Sequence, residues 1–278
     1  MTLSKPDTSH SLTLNDSNGL KQKSVFNLRP VNNERLGVFV DINDIEIGYA
    51  LDVFDNELET KTQNFLVSYR KWKHSRITFN YQTLEGLQID AENLSGTGFD
   101  RQFSQFTKST KIELFGLHNL YTFGEAESLF EHFFLNRPRL SQNFDWSLSI
   151  LGGWSLKHLS LENDESIIFQ PEYLSQQLTP VTELNSFSAS LNIGPFLSVN
   201  LPNNFNFFAE YRVGEGYIRN LSGNKGLKQS GDDKQQAAGA GFSWTSSNQK
   251  TLVLIRAWQQ KGRHIDTSFG DISVVRFF

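Results

Sequence analysis

The chain has 278 residues, of which 38% are apolar, and a mean hydropathy of −0.40. No run approaches the roughly 18–20 consecutive apolar residues that a membrane helix requires, so helical membrane proteins are excluded. Thirty acidic against 26 basic residues give a formal charge of −4, which argues against a general nucleic-acid binder. The absence of cysteine removes disulfide frameworks and thiolate metal sites.

Residues 1–21 are polar and aperiodic, and they read as a disordered leader ahead of a single β-domain over 22–278. Met1 to His10 hold no apolar core of a signal peptide, so an exported chain would be a mature form with an added Met.

Short alternating segments follow, broken by Asn, Asp, Gly, Ser and Lys clusters. Strands are expected near 22–30, 34–42, 45–54, 62–72, 76–90, 108–121, 127–135, 143–158, 165–172, 184–199, 204–217, 236–246, 250–260 and 267–278. Residues 125–135 fit a short amphipathic helix as well as a strand. The clearest alternation sets Phe144, Trp146, Leu148 and Ile150 on one face and Asp145, Ser147 and Ser149 on the other. Period two alone leaves open which face meets water, so a soluble β-sandwich binding module would show the same pattern.

Connection lengths add topology. Short links near 43–44, 73–75, 201–204 and 247–249 tend to alternate with long ones at 91–107, 173–183 and 218–235. Short turns at one end and long loops at the other fit an antiparallel barrel with both termini at the short-turn end. The expected fold is a single antiparallel transmembrane β-barrel of about 14 strands, or 12 if the weakest segments fail. A barrel that wide leaves room for water unless loops fold inward.

The chain closes on a strand-like segment ending in Phe278, with Val274 and Ile272 at alternate positions before it. In this it resembles bacterial outer-membrane β-barrels, whose terminal aromatic is read by the barrel-assembly machinery. Arg276 departs from that pattern, although a long side chain near the membrane edge can reach the headgroups. A looser likeness to uncharacterised barrel families rests on Asn27-Leu-Arg-Pro30, Leu36 to Ile42 and Ile45-Glu-Ile-Gly48. The resemblance implies a bacterial outer-membrane location. It also implies membrane lipids and lipopolysaccharide, the assembly machinery and other envelope proteins as partners, with no cofactor and no nucleic acid.

On the polar parity lie Arg70, Arg76, Lys111, Glu113, Asp145, Glu210 and Arg212, taken together as candidates to line the lumen. They would either pair and plug a narrow barrel or line a water-filled pore. Trp72, Tyr81, Tyr121, Trp146, Trp154, Tyr217, Trp244 and Trp258 at strand ends suit interfacial girdles. The six histidines are scattered and show no metal-ligand spacing.

The enzymatic alternative rests on His158 and Ser160. Outer-membrane lipid hydrolases place a His and a Ser two apart on one strand, so that the imidazole activates the hydroxyl. Here Leu161-Glu162 stand where Asn-Gly tends to follow, and the expected topology sets residue 158 at the short-turn end. A weaker echo around Asn220 and Ser222 has no base. The expected function is therefore a passive small-solute pore or a structural barrel component of a surface assembly, not an enzyme.

Overall fold

The computed structural model describes residues 2–15, 23–31, 35–42, 44–52, 60–72, 74–93, 103–123, 138–167, 181–223, 231–262 and 265–278. Among them run thirteen strands: β1 (Thr2–Asn15), β2 (Lys23–Arg29), β3 (Arg35–Ile42), β4 (Ile45–Asp52), β5 (Lys61–Trp72), β6 (Ser75–Asn93) and β7 (Phe103–Phe123). β8 (Asp145–Ile167), β9 (Val181–Leu201), β10 (Phe205–Gly223), β11 (Gly231–Thr245), β12 (Thr251–Lys261) and β13 (Ile265–Arg276) complete the set. They form one antiparallel sheet, closed on itself where β13 pairs with β1 from Thr2↔Val275 to Leu12↔Ile265. A closed ring leaves no edge strand and pairs the backbone within the wall. The sheet is one ring rather than two stacked layers, so the β-sandwich alternative falls.

The ring changes strand number along its length. β1 pairs with β3 through Thr2–Ser4 and with β2 through His10–Asn15, so β2 and β3 are two halves of one wall position. β2 then pairs directly with the far part of β6, Gln88 to Asn93. β3 instead leads through β4 and β5 to the near part of β6, Ser75 to Glu85. The short-turn end is therefore built by β1, β3, β4, β5 and β6 to β13, twelve strands, and the other end by β1, β2 and β6 to β13, ten strands. The 12-strand alternative describes the wider end, and the count of about 14 is not found.

Thr60, buried at the fork, holds the two branches together. Its hydroxyl accepts from the Val31 N–H at 2.8 Å and donates to the Gly86 carbonyl at 2.5 Å. Gly86 has φ 76° and interrupts the β6 register between Glu85 and Leu87, where β6 changes partner. A left-handed residue inside a strand is a bulge position that glycine fills at little cost.

Several expectations change. Residues 2–15 of the expected leader form β1, which closes the ring. Pro6 lies in the interval between Ser4 and His10 where β1 has no partner on the β2/β3 flank, a place where a missing N–H is best tolerated. β6 and β7 extend into the expected 91–107 loop, and the expected strands 143–158 and 165–172 join through Ile167. The 127–135 segment lies outside the described residues. The tight three-residue β9–β10 turn, Pro202-Asn-Asn204, puts Asn203 and Asn204 at φ 62° and 65°, left-handed values that asparagine adopts more readily than most residues.

Candidate functional site: lumen and outer wall

Burial alternates along the strands and assigns the two faces. On β8, Ser149, Leu151, Ser155, Leu159 and Leu161 are buried, whereas Trp146, Leu148 and Ile150 are exposed. Exposed apolar residues continue around the ring: Val38 and Val40 on β3, Ile47 and Tyr49 on β4, Leu191 and Ile193 on β9, Ile272 and Val274 on β13. Leu148 is 64% exposed and Leu191 68%, values that would leave large apolar area in water on a soluble surface. Near the short-turn end, Phe205 and Phe242 stack at 5.3 Å between ring centroids, with Trp244 beside them in register with Phe205. Farther along β11 to β13, Ala238, Ala240, Ala257 and Gly270 leave a shallow depression of about 520 Å³ in the wall.

On the arc from β8 to β13 the inward face carries a packed apolar cluster. Leu151, Phe196, Phe208, Leu252, Leu254 and Val275 form a buried apolar cluster, flanked by Leu120, Trp258 and Phe277. The rings of Phe196 and Phe208 are stacked at 5.9 Å, and Phe208 meets Trp258 at 5.6 Å. Phe208 lies over Gly241 so closely that a Cβ there would stand 2.2 Å from the ring. Below this layer, Ser141 and Asn204 exchange backbone and side-chain hydrogen bonds, and the Arg139 N–H donates to Thr245 Oγ1 at 3.3 Å. The stretch 138–144 is thereby tied to the ends of β9, β10 and β11. Partial burial lowers the Arg139 pKa from its ordinary value, against the opposing pull of Asp145.

Toward the ten-strand end, polar side chains take over. Lys157 Nζ on β8 donates to Gln260 Oε1 on β12 at 2.5 Å, a contact between strands separated in the wall by β9, β10 and β11. Gln260 donates on to Gln235, and Gln235 to Asp233. Glu210 Oε1 accepts from Trp258 Nε1 at 2.8 Å and from Arg212 at 3.2 Å, while Arg212 also donates to Asn192. Within the twelve-strand end, Arg76 reaches Glu46 at 3.4 Å and Ser68 at 2.5 Å. Arg256 pairs with Asp271 at 2.5 Å. Farther from the short turns, Leu28, Leu84, Leu87, Ile112 and Leu161 are buried as well.

The expected lumen residues therefore divide. Arg76, Glu210 and Arg212 face inward and are engaged in these networks. Lys111 and Glu113 do not: their parity is that of exposed Phe115, opposite buried Thr110 and Ile112, and they form a 2.6 Å ion pair on the outer wall. Alternation fixes a period but not a phase, and burial of Ile112 sets the phase the other way. Asp145 stands exposed at the first position of β8, and the side chain of Arg70 lies outside the described residues. Trp258 is not a girdle residue, since its indole donates into the interior. Glu46, Lys157, Gln235, Gln260 and Asp271 complete the networks unforeseen. Their positions within alternating segments held that information, but pairing register was needed to bring them together. Ile272 and Val274 face outward, and Phe278, 99% exposed, follows the end of β13.

His158 and Ser160 lie on the outward parity of β8, with His158 in register with Phe115 on β7 and Phe187 on β9. Ser160 stands between Glu113 and Asn185. The His158 Nε2 shares a hydrogen bond with Asn185 Oδ1 at 2.5 Å. Because β8 runs unbroken to Ile167, this pair sits in the half of the barrel away from the short turns, contrary to the expected topology. The side chains of Asn220 and Ser222 lie outside the described set.

No protein-family model matches the sequence, and no curated protein matches it. Among solved structures the chain is similar to the beta domain of the Bordetella autotransporter BrkA, at 11% identity over 99% of both chains with a TM-score of 0.45. It is also similar to the translocator domain of autotransporter NalP from Neisseria meningitidis, at 13% identity, covering 100% of this chain and 89% of that one, with a TM-score of 0.48. A third likeness is to OmpT, an outer membrane protein of Vibrio cholerae, at 7% identity over 99% and 96% of the two chains, with a TM-score of 0.38. Likenesses at this level transfer neither activity nor residue roles.

Proposed function

We propose that this chain is a β-barrel of the bacterial outer membrane whose lumen is filled, so that it serves as a structural barrel of the envelope rather than as an open pore. The observation that carries the reading is that one level of the wall is apolar on both faces. Outside, Trp146, Leu148, Ile150, Ile272 and Val274 present an exposed belt, the lipid-facing pattern of a membrane barrel. Inside the same strands, Leu151, Phe196, Phe208, Leu252, Leu254 and Val275 close on one another. A conducting pore lines its axis with polar side chains, whereas here large apolar side chains turn inward and pack together among buried Ser149, Ser198 and Ser273.

Membrane residence is tested by reconstitution. The folded chain should float with liposomes and migrate faster in detergent gels unheated than boiled. Variants retaining a single tryptophan add the facing. Trp146 fluorescence should be quenched by lipids brominated on their acyl chains, whereas Trp258 should be nearly untouched. Equal quenching of both would overturn the assignment of faces, and a chain that stays in detergent-free solution would overturn membrane residence. Outward Ile272 and Val274 with Phe278 are the positions we assign to recognition by the assembly machinery. Deleting Phe278 should lower the yield of assembled barrel in cells, and an unchanged yield would remove that role.

A further inference from the structure

We infer that Lys157, Arg212 and Gln260 hold a small oxyanion, a carboxylate or a phosphate, inside the barrel on the ten-strand side of the apolar cluster. The inference goes beyond the structural role proposed above and concerns the polar level of the lumen alone. Register brings the three residues together. Arg212 on β10 is in register with Ala237 on β11, and Ala237 with Gln260 on β12. One row of the inner wall therefore runs from the guanidinium to the amide with only a methyl group between them. Lys157 on β8 reaches across to the end of that row, where its Nζ donates to Gln260 Oε1. The ammonium stands within electrostatic reach of the guanidinium, and His118 on β7 within reach of both.

Donor and acceptor counts give the sign of the guest. An ammonium carries three donors and a guanidinium five, and neither has an acceptor. Lys157 meets one neutral amide oxygen. Arg212 meets Asn192 Oδ1 and Glu210 Oε1, while its buried Nε has no acceptor among the described residues. The carboxylates nearby are already engaged. Glu210 Oε1 also accepts from Trp258, and Asp233 ends the chain in which Gln260 donates to Gln235 and Gln235 to Asp233. Against one acceptor without a donor, Glu210 Oε2, stand the spare ammonium hydrogens and Arg212 Nε–H, so donors are in surplus. Two like charges in a low-dielectric interior repel, and an anion between them replaces that repulsion with attraction. Charge-assisted donors of this kind suit the several oxygens of a carboxylate or phosphate. Lys157, Arg212 and Gln260 each keep part of their surface accessible although they face into the ring, so the space they border admits small groups. The apolar cluster lies between this level and the short turns, so the anion enters from the ten-strand end.

The test uses the full chain folded in an uncharged detergent, with heat-modifiable migration as the check on folding. Sodium phosphate and sodium acetate are titrated by calorimetry at constant ionic strength, with chloride as the balancing anion. Wild type should bind at least one of the two at a single saturable site. Lys157→Met should weaken that binding about tenfold or more, as the loss of one charge-assisted hydrogen bond implies. Arg212→Met should do the same, but it also takes a partner from Glu210. Ala237→Leu keeps both charges and fills the gap between them, and it should abolish binding in a barrel that still folds. Lys234→Ala, on the outward parity of β11, should leave the affinity unchanged. A folded wild type with no saturable uptake of either anion overturns the site. So does a folded Lys157→Met or Ala237→Leu variant that binds as tightly as wild type. An equal loss in Lys234→Ala assigns the anion to the outer surface and overturns the site as well. Binding is read in detergent, so none of these results depends on whether the lumen conducts.

Discussion

The two arcs of the barrel solve the same problem differently. From β8 to β10 the strands run 19 to 23 residues, and on the arc from β8 to β13 the interior near the short turns is packed with Leu151, Phe196, Phe208, Leu252 and Leu254. From β3 to β5 they run only 8 to 12 residues, one wall position is split at the fork, and the interior between β4, β5 and β6 is held by a buried ion pair, Arg76 with Glu46, braced by Ser68. The outward faces hardly differ: Val38, Val40 and Ile47 on one arc match Leu148, Ile193 and Ile272 on the other. Lipid imposes one requirement on every strand, whereas the inside is free to be apolar or ionic provided its groups are satisfied. In the ionic arc the satisfaction depends on register, and register there depends on the fork.

The comparison breaks first where burial is deepest. Phe208→Ala removes a ring that is 0% exposed and touches Phe196 and Trp258, and should cost about 3–5 kcal/mol in urea unfolding of the reconstituted barrel. Gly241→Val should also be destabilising, because its Cβ has no room beneath the Phe208 ring. In the ionic arc, Arg76→Met takes the guanidinium away from the buried Glu46 carboxylate and should cost about 3 kcal/mol. Adding Glu46→Gln to Arg76→Met should recover much of that loss. Equal losses for the single and double variants would mean that the guanidinium acts by packing instead. Thr60→Val should cost about 1–3 kcal/mol, because it takes the hydroxyl partner from the part-buried Val31 N–H and from the buried Gly86 carbonyl at the fork. If Thr60→Val proves neutral, the fork is held by strand pairing alone. The smallest effect is expected on the outside, where Val40→Ala should change stability by less than about 1 kcal/mol.

Much of this was legible in the sequence, and the exceptions have physical causes. Phe144 to Ile150 declared a two-faced strand because Phe144, Trp146, Leu148 and Ile150 are exposed while Ser147 and Ser149 face inward. The N-terminal strand escaped notice because a segment paired on both flanks needs no apolar face of its own to be held, and Pro6 argued against it. The fork left one local trace, an isolated glycine in Leu84-Glu-Gly86-Leu87, which reads as a bulge but does not name the strands that meet there. The outward siting of Lys111 and Glu113 is not legible in the sequence, because alternation fixes a period but not a phase. The contact of His158 with Asn185 joins residues on different strands, and only register reveals it.

The central claim is the filled lumen, and single-channel recording in planar lipid bilayers tests it most directly. Wild-type protein that has demonstrably inserted should give no stepped conductance, while the double variant Phe196→Gly/Phe208→Gly, which thins the apolar layer, should give small or flickering steps. Regular porin-like steps from the wild-type chain would contradict the account.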